Sequence, residues 1–154
     1  MRSIWLLGLI MIPTIISAQY TGYTPWENCF GINESCPYLG CSEINVNTSN
    51  SGVMAIVKKY GKIIKHAYIS SNSSYTFELK DGTYQVFFYY GDNWNSQKKM
   101  KSDECSSIYG GFTNNESVLK DSPITLNGEI MTYRLSRTEY GNFSPMGSSL
   151  EEAL

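Results

Sequence analysis

The chain has 154 residues, and its 12 Lys and Arg against 14 Asp and Glu give a formal net charge of −2. That balance argues against nucleic acid as the main partner, because phosphate binding needs a basic excess or a basic stripe. The length suits a leader followed by one domain with a core of its own.

Residues 1–18 have the layout of a secretory signal peptide: Arg2, the apolar run Ile4–Ile12, Pro13, and the small residue Ala18, after which cleavage is expected. The run is shorter than the roughly 20 residues that cross a bilayer. No Cys follows the cleavage point to take a lipid, and no later segment is apolar enough to span a membrane. The expected location is secreted or periplasmic. Loss of Arg2 with the leader makes the remainder one unit more negative.

Residues 19–41 read as an irregular arm rich in Gly, Pro, Asn and Cys, laid over the domain and carrying Tyr20, Tyr23, Trp26, Phe30 and Tyr38. Four cysteines, Cys29, Cys36, Cys41 and Cys105, imply two disulfides in an exported chain. The expected pairing is Cys29–Cys36, a tight loop around Gly31 and Asn33, with Cys41–Cys105 pinning a distant loop to the sheet. The spacing lacks the C-x2-C pairs of structural zinc sites, and His66 is the single histidine, so no metal or cofactor is expected.

From residue 42 to 137 the pattern is that of strands. Glu43-Ile44-Asn45-Val46-Asn47 alternates with period two. Val53–Tyr60 and Ile63–Ser70 flank Gly61-Lys62, which suits a type II′ hairpin setting Lys58 opposite Lys65 and Val57 opposite His66. Val53, Ala55, Val57, Ile64, His66 and Tyr68 would then face inward. Lys58, Lys59, Lys62 and Lys65 make a basic stretch. It reads either as a tip that meets an acidic partner or, the preferred reading, as a solvated hairpin end that deters edge pairing.

Tyr75–Leu79 alternates, Asp81-Gly82 signals a hairpin turn, and Thr83–Tyr90 is dense in aromatic and β-branched residues. Tyr84, Val86, Phe88 and Tyr90 share one face, and Gln85, Phe87 and Tyr89 the other. Residues 91–107 read as a long polar loop holding Trp94, Met100 and Cys105. A short strand or bend is expected at Tyr109–Phe112, a turn at Asp121–Pro123 and a last core strand at Ile130–Leu135. Residues 138–154 are expected to be a flexible tail, with one helical turn capped near Ser148-Ser149 as the lesser alternative. The fold expected is all-β: an antiparallel, Ig-like β-sandwich of six to seven strands with a disulfide-tied N-terminal arm.

Asp81-Gly82-Thr83-Tyr84-Gln85-Val86 resembles the "DG-x-Y-x-V" strand of carboxypeptidase-regulatory-like and transthyretin-like sandwich modules. His66–Ile69, Ser74–Phe77 and Asp81–Trp94 are similar to uncharacterised secreted proteins of Bacteroidetes-type bacteria. The first resemblance implies an accessory folding or binding domain. Neither brings catalytic residues.

His66 would need a nucleophile and an orienting carboxylate to act as a general base, and no G-x-S-x-G elbow is present. It reads better as a packed core residue. No sequence signal selects a carboxylate pair for glycoside hydrolysis. Asp92-Asn93-Trp94-Asn95 hints at a calcium loop, but Lys98 and Met100 stand where further ligands belong. Five Asn-x-Ser sequons begin at Asn33, Asn47, Asn72, Asn115 and Asn142. They would matter in a eukaryotic secretory route, and the bacterial resemblance makes them plain Asn/Ser richness.

The candidate binding residues are Phe87, Tyr89 and Trp94, an aromatic face that would stack on a sugar or anchor a protein if exposed. Burial of that face under the arm is the stronger of the two readings. The function expected is a non-catalytic binding module at the cell envelope, with a protein or glycan as partner. The alternatives are a small hydrolase using His66 or a carboxylate pair, and a structural or inhibitory domain that inserts its 91–107 loop into a partner.

Overall fold

A computed structural model of the chain describes residues 19–37, 39–136 and 145–154. The proposed leader, Tyr38, the Asn142 sequon and the first part of the tail lie outside these. Among the described residues no helix is long and apolar enough to cross a membrane.

Among the described residues nine strands form two sheets: β1 (Cys41–Thr48), β2 (Val53–Lys59), β3 (Lys62–Ile69), β4 (Ser74–Lys80), β5 (Gly82–Met100), β6 (Ile108–Lys120), β7 (Ile124–Leu126), β8 (Ile130–Leu135) and β9 (Met146–Ser148). The smaller sheet runs β4-β1-β8. The larger runs β3-β2-β5-β6-β9, with β7 on the first residues of β5. Pairing is antiparallel except for β1 with β8. The expected all-β, two-sheet sandwich is what the chain forms, with β7 and β9 as short additions.

The core between the sheets follows from the alternation. β1 contributes Ile44 and Val46, and β2 contributes Val53, Ala55 and Val57. β4 adds Phe77 and Leu79, while β5 adds Tyr84, Val86, Phe88 and Tyr90. Burial of side chains of this size is worth about 1.5–3 kcal/mol each. Tyr133 packs edge-on to Phe88, with ring centres 5.1 Å apart.

The outer face of the large sheet is also covered. Met54, Ile56, Ile63, Phe87 and Tyr89 join Met100, Ile108, Phe112, Trp26 and the terminal Ala153 and Leu154 in a second buried cluster. The arm supplies Trp26, whose indole nitrogen donates to the Gly110 carbonyl at 3.1 Å. The arm also bridges β3, where the Gly22 nitrogen donates to the Tyr68 carbonyl and the Tyr68 nitrogen to the Tyr23 carbonyl, each at 2.8 Å.

Several expectations are corrected. The β2–β3 turn centres on Tyr60-Gly61, both left-handed at φ 52° and 77°, so the hairpin is one residue off the expected register. Only Gly adopts that conformation at no steric cost. A bulge then shifts the pairing: Lys58 faces Ile63, Val57 faces Lys65 and Ile56 faces His66. His66 and Tyr68 therefore point to the outer cluster rather than between the sheets. Lys58 does not meet Lys65 in water. It is buried, its amine donates to the Glu152 carbonyl at 2.7 Å and lies 5.5 Å from the centre of the Phe87 ring.

Asp81-Gly82 is not a hairpin turn. β4 pairs with β1 and β5 with β2, so the chain changes sheets there. The Asp81 carboxylate accepts from Ser42 Oγ at 2.6 Å and from the Gly128 nitrogen at 2.8 Å, which ties the crossing to the small sheet. Both bonds hold its carboxyl below the usual range.

Residues 91–100 are not a loop, because they continue β5 against β6. Shifts in register between Tyr90 and Asp92 and between Asn95 and Lys99 break the period-two pattern that would have revealed a strand. The turn after Met100 is held by Cys105, which pairs with Cys29 rather than with Cys41, and Cys36 pairs with Cys41. Cys29 sits on the one-turn helix α1 (Glu27–Phe30) beside Trp26, so burial of Trp26 brings it to the β5–β6 end, with Cα atoms of the pair 5.8 Å apart. Residues 145–154 do not fray. β9 pairs with β6, Ser149 caps the short helix α2 (Leu150–Ala153), and Ala153 and Leu154 are buried.

Candidate functional site

The fold does not leave the expected aromatic face open. Phe87 and Tyr89 are 1% and 0% exposed. The Tyr89 hydroxyl donates to Glu116 at 2.6 Å and accepts from the Phe112 nitrogen at 2.9 Å, while Lys98 holds the other oxygen of Glu116. Burial and the Glu116 hydrogen bond raise the phenol far above its ordinary range. Trp94 keeps part of its surface, packed edge-on to Phe112 at 5.1 Å and tilted against Tyr68 at 5.8 Å. These three residues are brought together by core packing, and they offer no shared platform.

His66 is sealed in. Its ring stacks on Trp26 at 5.3 Å, Phe30 stands edge-on at 6.0 Å, and Nε2 accepts from the Trp26 backbone nitrogen at 3.0 Å. That bond makes Nε2 the unprotonated nitrogen, so the proton of the neutral ring sits on Nδ1, which has no hydrogen-bond partner. Burial pulls the pKa down to about 4, and the nearby Thr24 carbonyl offsets a little of this. The backbone of His66 is held by the arm as well. Asn33 Nδ2 donates to its carbonyl at 2.8 Å and Asn33 Oδ1 accepts from its nitrogen at 3.2 Å, so one side-chain amide extends the β3 edge like another strand residue. The first sequon asparagine is therefore a structural group.

An open cleft lies elsewhere, at the edge of the sandwich where β3 and β4 face each other. The arm residues 34–37 close one side of a cleft of about 400 Å³. Ile64, Leu79 and Tyr84 supply apolar wall, and Lys59, Lys65 and Lys80 supply cations. A volume of this order is within the range of small-ligand sites, about 300–1,000 Å³.

Two of the three amines are held in place. Lys65 donates to the Glu34 carbonyl, and burial lowers its pKa, an effect that Glu78 and Glu34 partly oppose. Lys59 lies 3.5 Å from the Tyr84 hydroxyl and over two rings, 5.0 Å from the centre of Tyr84 and 5.7 Å from that of Tyr60. Such positions favour a cation by electrostatic attraction to the ring face. Gly82 makes room for it, because a Cβ there would stand 2.8 Å from Lys59 Nζ. Lys80 is exposed and makes no described side-chain interaction. Of the two acids at the cleft, Glu78 is engaged by the Cys36 nitrogen at 3.0 Å.

The basic stretch of β2 and β3 thus divides. Lys58 is internal, while Lys59 and Lys65 line the cleft. Lys80 and Tyr84 come from strands that no local motif links to that stretch, and only the sheet topology brings them there.

The fold and site define a two-sheet, disulfide-tied β-sandwich with a cationic edge cleft. Scans against family models, curated proteins and solved structures found no match to this chain.

Proposed function

We propose that the chain is an exported, non-catalytic binding module that takes an acidic ligand, on a protein or glycan of the cell envelope, in the cleft between β3 and β4. The observation that carries this reading is the set of Lys59, Lys65 and Lys80 around an apolar wall, with two of the amines anchored before any ligand arrives. Anchoring lowers the ordering entropy that binding would otherwise cost. Two disulfides fit an oxidising compartment, and the signal-like leader points the same way. The resemblance of Asp81–Val86 to carboxypeptidase-regulatory-like and transthyretin-like modules, which implies an accessory folding or binding domain, agrees with a binding role.

His66 as a general base is disfavoured by its burial and by the engagement of Nε2. The 91–107 segment is disfavoured as an inserting loop, since its first part is strand and its turn is tied to Cys29.

Calorimetric titration with polyglutamate and with polylysine tests the proposal. Polyglutamate should bind at low salt, weaken as salt is added, and lose at least tenfold in affinity in Lys80→Glu. Equal binding of both polymers, or an unchanged affinity in that variant, would count against it.

A further inference from the structure

We infer that the occupant of the cleft is an extended acidic peptide segment of a partner protein, added as a further strand to the outer edge of β4. This rests on the cleft being the binding site.

The geometry of the opening carries the inference. A second cavity of about 80 Å³, lined by Asn33–Ser35, Lys65 and Tyr75–Glu78, shares Glu34, Ser35, Lys65 and Glu78 with the larger cleft. Together the two follow β4 through consecutive residues from Tyr75 to Lys80. A groove lying on a sheet face would meet alternate residues only, since side chains point to opposite faces in turn. Contact with every residue places the groove along the strand's edge.

That edge is open. β4 is the outermost strand of its sheet, bonded to β1 on its other side. Among the described residues no backbone hydrogen bond from the arm reaches it, and the arm touches it through side chains, as in Asn33 Nδ2 to the Tyr75 hydroxyl at 3.1 Å and the Cys36 nitrogen to Glu78. The β3 edge across the groove is occupied by contrast, by Tyr23 and by the Asn33 amide. Six residues of edge span roughly 17–20 Å at about 3.3 Å per residue, enough for a short strand. Backbone bonds along the edge would supply affinity. Specificity would come from side chains that alternate between Lys65 or Lys80 and the apolar wall of Ile64 and Leu79.

The test is calorimetric titration of the full chain with four acetylated, amidated hexapeptides. One alternates Val and Glu, one alternates Val and Lys, and two are Val/Glu peptides N-methylated at odd or at even residues. The Val/Glu peptide should bind and the Val/Lys peptide should not. One N-methylated form should lose at least tenfold while the other keeps its affinity, because only one set of N–H groups faces β4. Lys65→Glu and the exposed Lys80→Glu should each weaken binding at least tenfold.

If both N-methylated forms bind like the parent while Lys80→Glu still weakens it, strand addition is overturned and the cleft remains an acidic-ligand site. If the peptides are inert while polyglutamate or polygalacturonate binds in a Lys80-dependent way, the short-strand occupant is likewise overturned. If none of these ligands binds, both the occupant and the site are refuted.

Discussion

Acidification should loosen this protein through His66 before any carboxylate is involved. In the unfolded chain the imidazole has a pKa near 6.5, and in the fold burial lowers it to about 4. A depressed histidine leaves the unfolded state binding the extra proton, so folding stability falls as pH falls. The loss begins near pH 6.5, reaches about 1 kcal/mol by pH 5.5, and levels off at about 3 kcal/mol below pH 4. For a chain of this size that full loss corresponds to roughly 10 °C in Tm. The ring stacks on Trp26, meets Phe30 edge-on and accepts from the Trp26 backbone nitrogen, with no carboxylate among these hydrogen-bond or stacking partners.

Asp81, Glu116 and Glu152 are held below their ordinary range by their hydrogen bonds and add their own losses only at lower pH. Urea denaturation at steps from pH 7.5 to 4.5 measures the slope. His66→Gln, whose side-chain oxygen can replace Nε2 as acceptor for the Trp26 nitrogen, removes the titration. The wild type should lose stability above pH 5 and the variant should stay flat. A flat wild-type profile, or an unchanged slope in His66→Gln, would refute the reasoning.

The two disulfides should differ in worth. Replacing Cys29 and Cys105 by Ser opens a bridge of sequence separation 76 and should cost about 4 kcal/mol, against about 2 kcal/mol for Cys36 and Cys41 at separation 5, both read from urea midpoints. Asn33→Ala should lose about 2 kcal/mol and speed amide exchange along β3, because the His66 backbone groups lose their partner. Phe87→Ala should lose about 3–5 kcal/mol in the same melts, since Phe87 is fully packed, and a loss under about 1 kcal/mol would mean that the ring is at the surface.

Local pattern carried much of the fold. The alternation in β1, β4 and the first half of β5 placed their buried residues correctly, because each strand has one face to bury and a period of two. The second half of β5 carries no such local signal. Its polar residues Asp92–Lys99 have weak strand preference, and the bulges at both ends interrupt the period, so pairing with β6 decides the outcome. Asp81-Gly82 misleads for the opposite reason. The dipeptide favours a hairpin locally, but Ser42 and Gly128, far away in sequence, fix the carboxylate and send the chain to the other sheet. The disulfides followed from the burial of Trp26, a non-local event that loop length does not reveal.

The cleft was legible only in part. Lys59 and Lys65 belong to a legible basic stretch, yet neighbouring residues of β2 point to opposite faces, which parts Lys59 from Lys58, and the bulge between Val57 and Lys58 sets Lys65 opposite Val57 instead of Lys58. Lys80 and Tyr84 join them because β4 and β5 belong to different sheets that meet at that edge. The aromatic pair Phe87 and Tyr89 reads as a candidate surface because a sheet in the open has a free second face. The arm and the C-terminal residues cover that face.

Chemical-shift mapping of the isotopically labelled protein during polyglutamate titration addresses the location of binding most directly. Amide shifts should concentrate at Lys65, Glu78, Leu79, Lys80 and Tyr84 and vanish in Lys80→Glu. Shifts centred on Trp94, Phe112 and Tyr68, with the β3–β4 edge unmoved, would contradict the account.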